Sequence, residues 1–173
     1  MKRYAVVLLA TALILGTGAG ISYAYLSGRD EAVNHFSAVS AEIEIHEDFT
    51  PPEEIIPGKI IKKIPVIKNT SGTPCYVRVS VRFSNGEALQ NCEAVEIKNG
   101  WSRKEDGWYY WDEALLPDKS TGPVFEQIKI KDNVQEEITP FDILVYAEAV
   151  CCGEKSADEA WREMNQIQDR NGG

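Results

Sequence analysis

Two histidines, four cysteines and a cluster of aromatic residues are the side chains in this sequence best suited to chemistry. His35 and His46 do not belong to a His-Glu-x-x-His segment, the spacing that sets two zinc ligands on one helix face beside a general base. His46 falls on the polar side of an alternating segment, and both imidazoles read as solvated. A zinc site would have to recruit carboxylates or cysteines, and the sequence has no Cys-x-x-Cys pair. It also has no Gly-x-Ser-x-Gly elbow, and nothing in it suggests a Cys–His nucleophile. Glu53-Glu54 and Glu136-Glu137 lie in loop-like stretches and read as solvated charge, not as a glycosidase pair. The expectation is a protein that is not an enzyme, with no catalytic residue, no metal ligand and no cofactor.

Cys75, Cys92, Cys151 and Cys152 allow three pairings. Bonding the neighbours Cys151 and Cys152 needs a strained ring, so that pairing ranks last. Cys75 opens the clearest strand and Cys151 closes the last one. Cys75 is therefore expected to pair with Cys151 or Cys152, with Cys92 taking the other. Among the aromatics, alternation puts Trp108 and Tyr110 on one face of a segment and Tyr109 and Trp111 on the other. Trp101, Trp108 and Tyr110 are the candidates for a surface that stacks on sugar rings. The competing and preferred reading is that these rings stabilise a hairpin and fill a core.

The first 24 residues differ from the rest. Lys2 and Arg3 precede an apolar run from Tyr4 to Leu15, then Gly16-Thr-Gly-Ala-Gly20, then Ser22-Tyr-Ala24. Charge, apolar run, helix breaker and small-x-small is the order of a secretory signal peptide, with cleavage between Ala24 and Tyr25. No charge falls between Arg3 and Arg29, so a retained membrane anchor is the competing reading. The glycines and the small residues favour cleavage. Losing Lys2 and Arg3 takes the formal charge from −9 to −11. That acidity suits a soluble surface protein and opposes binding to nucleic-acid phosphates.

Downstream, residues 25–35 are polar and without period, and read as a flexible arm. Residues 36–46 end in Glu42-Ile-Glu-Ile-His46, a half-buried strand. Residues 48–58, with Pro51, Pro52 and Pro57-Gly58, read as a loop. Residues 60–67 are strand-like, but Pro65 demotes them to an edge or a bulge. Cys75 to Phe83 alternates cleanly, with Cys75, Val77, Val79, Val81 and Phe83 on one face and Tyr76, Arg78, Ser80 and Arg82 on the other, outer one, and is the surest strand. Val95 and Ile97 suggest a short strand, residues 101–111 a hairpin turning at Asp106-Gly107, and residues 113–117 a helical turn. Residues 124–131 alternate again. Residues 141–150 are mostly apolar and read as a central strand. Ser156-Ala-Asp-Glu159 is a capping box that starts a helix running to about Gln166, and residues 169–173 read as a tail. The spacing implies an all-β antiparallel sandwich over residues 36–168 with a short C-terminal helix.

Several segments resemble the TasA and camelysin family of exported Gram-positive proteins. The resemblance runs through the Gly-rich junction at residues 18–27, Ile56-Pro-Gly58, Lys68-Asn-Thr70 and Tyr76-Val-Arg-Val79. It continues through Gly107-Trp-Tyr-Tyr110, Leu116-Pro117, Pro123-Val-Phe125, residues 141–149 and Glu159-Ala-Trp161. It departs at Cys151-Cys152, where polar residues are expected. The resemblance implies a jelly-roll fold, export served by a peptidase of the SipW type, and a place on the cell surface or in the biofilm matrix. The polar arm leading into a strand that carries Phe36, Val39, Ile43 and Ile45 reads as an assembly strand added to the next subunit, with the first strand of the chain's own sandwich as the competing reading. The resemblance also implies fibre subunits that exchange strands head to tail through the N-terminal arm. Partners are then other copies or related matrix subunits, and the membrane is touched only through an uncleaved signal peptide. The alternatives are a surface adhesin or carbohydrate-binding module, and a camelysin-like metalloprotease.

Overall fold

The computed structural model describes residues 41–135 and 137–171. The signal segment, the Ala24–Tyr25 junction, the arm, His35, Phe36 and Val39 lie outside the described residues. Two antiparallel sheets and two helices make up the described chain. The strands are β1 (Ile43–Phe49), β2 (Ile60–Asn69), β3 (Cys75–Phe83), β4 (Trp101–Arg103), β5 (Tyr109–Trp111), β6 (Gln127–Lys129) and β7 (Ile143–Cys151). The helices are α1 (Gly86–Asn91), between β3 and β4, and the C-terminal α2 (Ala157–Asn171). One sheet has the order β1-β2-β6, the other β4-β5-β3-β7.

Both sheets feed one core. Ile43, Ile61, Ile67 and Ile128 come from the first, Cys75, Val77, Val79, Val145 and Ala147 from the second. Phe125 and Val124, from the connection before β6, are fully buried between them. Alternation explains these choices: odd-numbered residues of β1, β2, β3 and β7 face the core and even-numbered ones face away. A second cluster forms on the outer face of the four-stranded sheet, where Ala160, Trp161 and Met164 of α2 meet Tyr110 and Val150. The capping box forms as the sequence predicts: the Ser156 amide donates to Glu159 Oε2 at 3.0 Å and its hydroxyl at 2.7 Å. α2 then runs past Gln166 to Asn171, taking in residues 169–171 that were read as tail.

Five expectations change. Strand β2 is the middle of its sheet, not an edge. Its even residues bond to β1, so the missing N–H of Pro65 points to the irregular segment 121–126, where the Pro65 carbonyl accepts from Val124 at 2.9 Å. No ladder bond is lost, and the penalty that confines proline to edges does not arise. Strand β7, read as central, is an edge of the described sheet. It is apolar on both sides because the core covers one face and α2 part of the other. Val95 and Ile97 belong to no strand, and residues 113–117 form no helical turn: Leu115 bridges to Cys75. β1 continues through Asp48 and Phe49, which were read as loop, because they pair with Ile64 and Lys63.

The hairpin of β4 and β5 turns where Asp106-Gly107 predicts, with Gly107 at φ 84°. Its base requires Gly100 as well. That residue sits at φ 91°, and a Cβ there would fall 2.5 Å from the Trp111 ring.

Candidate functional site

Strands β1 and β7 are the edges that turn toward each other at one side of the two sheets. They touch at one rim, where the Ala41 amide donates to the Ala149 carbonyl at 3.3 Å. Among the described residues this is the only backbone hydrogen bond between the two edges. The direction of the remaining groups follows from alternation. The Glu42 carbonyl accepts from Thr70 and Ser71, so even residues of β1 bond inward to β2 and odd residues bond outward. Cys75 exchanges both backbone bonds with Leu115, so odd residues of β3 turn away from β7 and even ones bond to it. In β7, then, Val150, Glu148, Tyr146 and Leu144 serve the ladder with β3. Ile143, Val145 and Ala147 aim their N–H and C=O groups out of the sheet, and no partner for them occurs among the described residues.

The two edges differ in character. β1 points a charge inward: Glu47 Oε2 meets Lys63 Nζ at 2.5 Å, with both side chains largely buried and the ammonium 4.8 Å from the Phe49 ring centroid. An inward charge is a device by which natural sheets keep an edge from accepting another strand. β7 carries none. Its outward-bonding positions hold Ile143, Val145 and Ala147, with Phe83 and Phe141 packing beside them at 6.0 Å between centroids. A row of unpaired amides and carbonyls over apolar side chains can do one thing chemically, which is to bind an extended strand.

The chain matches no protein-family model, no curated protein and no solved structure. The site therefore rests on its own geometry.

The other residues singled out from sequence fall as follows. Ile43 and Ile45, named as part of the assembly strand, sit in β1 and pair with Asn69 and Ile67 of their own sheet. Trp101 is buried in the core, edge-on to Trp111 at 5.3 Å, and Tyr110 is buried beneath α2, so neither offers a ring face to a sugar. Trp108 is half-buried, its ring 4.6 Å from the Arg78 guanidinium. His46 is exposed, with Nε2 3.3 Å from Glu44. Among the described residues no three His, Cys, Asp or Glu side chains are grouped to hold a metal ion. The cysteines divide: Cys75 and Cys151 face each other across β3 and β7 with Cys152 beside them, whereas Cys92 bridges to Ile130 near β6.

Sequence reasoning missed Arg78, which it placed on the outer face of β3. The structure buries it there. Its Nε and Nη2 reach Glu148 Oε2 at 2.8 and 2.5 Å, Nη1 donates to the Tyr110 hydroxyl at 3.1 Å, and Nη2 donates to Asn165 Oδ1 at 3.1 Å. The guanidinium is stacked between Trp108 and Trp161, at 4.6 and 4.5 Å. The Tyr110 hydroxyl in turn donates a hydrogen bond to Asp106 Oδ2 at 2.6 Å. Burial works to raise the Asp106 carboxyl, but this bond, the Trp108 amide and Arg78 outweigh it and hold Asp106 below the usual carboxylate range. No signal within the strand sets Arg78 apart from Ser80 and Arg82, because the aromatic set around it, Tyr76, Trp108, Tyr110 and Trp161, is gathered from distant parts of the chain.

Proposed function

We propose that the chain is an exported structural subunit of a bacterial surface or matrix, a jelly-roll-like β-sandwich. Its copies join when residues upstream of Ala41 in one chain add as a strand to the β7 edge of the next. The observation that carries this is the outward row at Ile143, Val145 and Ala147 on an edge without an inward charge. The polar arm after Tyr25, leading into Phe36 and Val39, suits the role of donor. Each large apolar side chain it buries contributes roughly 1.5–3 kcal/mol, enough for a few to offset the ordering of a short arm. A head-to-tail contact of this kind does not close on itself, so it yields filaments. The resemblance to the TasA and camelysin family points the same way. Release by a signal peptidase after Ala24 would free the donor, and would make the surface of a Gram-positive cell the site of assembly.

The test compares residues 25–173 with residues 41–173. The longer chain, with an intact mass beginning at Tyr25, is expected to form filaments by electron microscopy. The shorter is expected to remain monomeric and to bind a synthetic peptide of residues 25–40. Two monomers at high concentration, or identical filaments from both, would sink the reading.

The proposal assigns the chain no catalytic role. Protein prepared free of metal is expected to take up no stoichiometric zinc and to cleave no casein. Chelator-sensitive cleavage with bound zinc would favour the metalloprotease reading instead.

A further inference from the structure

We propose that Cys75 and Cys151 form a cross-strand disulfide that staples β3 to β7 at the rim where Ala41 meets Ala149, while Cys152 and Cys92 stay thiols. All four are thiols in the structure. Cys75 and Cys151 are direct partners in the β3–β7 register. The two backbone bonds between Cys75 and Leu115, at 3.0 and 2.8 Å, turn the Cys75 amide and carbonyl away from β7. The pair is therefore a non-hydrogen-bonded one, the kind that brings opposed Cα atoms to about 4.5 Å with side chains on the same face. That separation lies within the roughly 4.4–6.8 Å a disulfide spans.

Cys152 fails both conditions. As the next residue it belongs to the opposite face, where its thiol meets the Tyr76 hydroxyl on the α2 side of the sheet. Its amide is held by the Pro74 carbonyl at 3.0 Å, which fixes it there. Cys92 lies beside Ile130, and of the other three no thiol enters its electrostatic surroundings.

The route to the bond follows from exposure. Cys75 is fully buried, and burial, followed by the neighbouring Cys152 and Cys151 thiols, pushes its own thiol up to about 12. Cys151 is half-buried, with Thr73 Oγ1 at 3.7 Å from its sulfur. It is the thiol that meets an oxidant. With a low-molecular-weight disulfide as oxidant, the Cys151 thiolate attacks one sulfur and expels the first small thiolate, which takes up the proton. Cys75 then gives up its proton and attacks Cys151 Sγ, expelling the second. Two protein thiols are oxidised to one disulfide, and one small disulfide is reduced to two thiols.

The test equilibrates the full chain with oxidised glutathione, alkylates remaining thiols under denaturation and reads intact mass and linked peptides. The expected result is a Cys75–Cys151 linkage with two alkylated cysteines, Cys92 and Cys152. The linkage should persist in Cys152→Ala and Cys92→Ala and vanish in Cys151→Ser. Reduction should lower the thermal midpoint by about 10 °C in the wild type and leave that of Cys151→Ser unchanged. Far-UV circular dichroism confirms that each variant folds. Four alkylated cysteines after oxidation, glutathione adducts alone, or a linkage that survives in Cys151→Ser and is lost in Cys152→Ala would overturn the assignment.

Discussion

Replacing Arg78 with alanine is expected to cost about 3–5 kcal/mol and to release α2 from the sheet. The guanidinium is 5% exposed and Glu148, its ion partner on β7, is 17% exposed. Truncation leaves the Glu148 carboxylate in a poorly solvated site without its cation, which is the costly way to break a buried pair. It also opens a cavity between Trp108 and Trp161 and removes the donors that serve Tyr110 and Asn165. Arg78 ties together β3, the β4–β5 hairpin, β7 and α2, so its loss is felt in four elements at once. Lysine should not rescue it, because a point charge can neither lie flat between two indoles nor fork between Glu148, Tyr110 and Asn165. The double variant Arg78→Met with Glu148→Gln should recover much of the loss, since it removes both charges and keeps the volume. Denaturant unfolding gives the energies, and limited proteolysis within residues 157–171 reports the release of α2. An Arg78→Ala protein within about 1 kcal/mol of wild type would show that the pair contributes little.

Substitution of Asn69 is expected to be nearly as damaging, for the opposite reason: no charge is involved, yet every polar atom of the side chain is used. Asn69 is fully buried at the end of β2. Nδ2 donates to the carbonyls of Thr73 and Leu115, both at 2.9 Å, and Oδ1 accepts from the Ser71 amide at 2.9 Å and its hydroxyl at 2.6 Å. This side chain builds the turn by which the chain leaves the first sheet for the second. Asn69→Leu removes four hydrogen bonds at a buried site, each contributing about 0.5–1.5 kcal/mol, while the Thr73 and Leu115 carbonyls and the Ser71 amide keep one partner each in the Ser71 hydroxyl, the Cys75 amide and the Glu42 carbonyl. Asn69→Asp keeps the shape but turns both donated bonds into contacts between a carboxylate oxygen and carbonyl oxygens. The buried carboxyl would then have a raised pKa, so the folded state would hold its proton more tightly than the unfolded state. The penalty is absent below the unfolded value of about 3.9 and grows as pH rises through the folded one. Asn69→Asp should thus be closer to wild type at pH 4 than at pH 7, whereas Asn69→Leu should show no such difference. Equal losses at the two pH values for Asn69→Asp would contradict the hydrogen-bond assignment.

What was legible in the sequence was local. The alternation of β3, the turn at Asp106-Gly107 and the capping box at Ser156 and Glu159 each declare themselves within about ten residues, and each is found where it was read. The helix α1 had such a signal and was overlooked: Asn85 Oδ1 accepts from the Ala88 amide at 2.6 Å, an ordinary N-cap. What depends on distant partners was not legible. Pro65 looked like an edge marker because its pattern does not say which side of β2 its nitrogen faces. The apolar run of β7 looked central because an edge strand covered by core and helix carries the same composition. Arg78 looked like one of several polar outer residues, and its burial depends on Trp161, far along the chain. The candidate edge at Ile143, Val145 and Ala147 was missed for the same reason, while Ile43 and Ile45 were read correctly as a strand and assigned to assembly instead of to the chain's own sheet.

The most direct test of strand addition at β7 is residue-resolved amide exchange at Ile143, Val145 and Ala147, in monomeric residues 41–173 and in the assembled form of residues 25–173. In the monomer these three amides should exchange rapidly while those of Leu144, Tyr146 and Glu148, bonded to β3, are protected. In the assembled form all six should be protected. Protection of the odd-numbered amides already in monomeric residues 41–173, or their rapid exchange in the filament, would contradict the account.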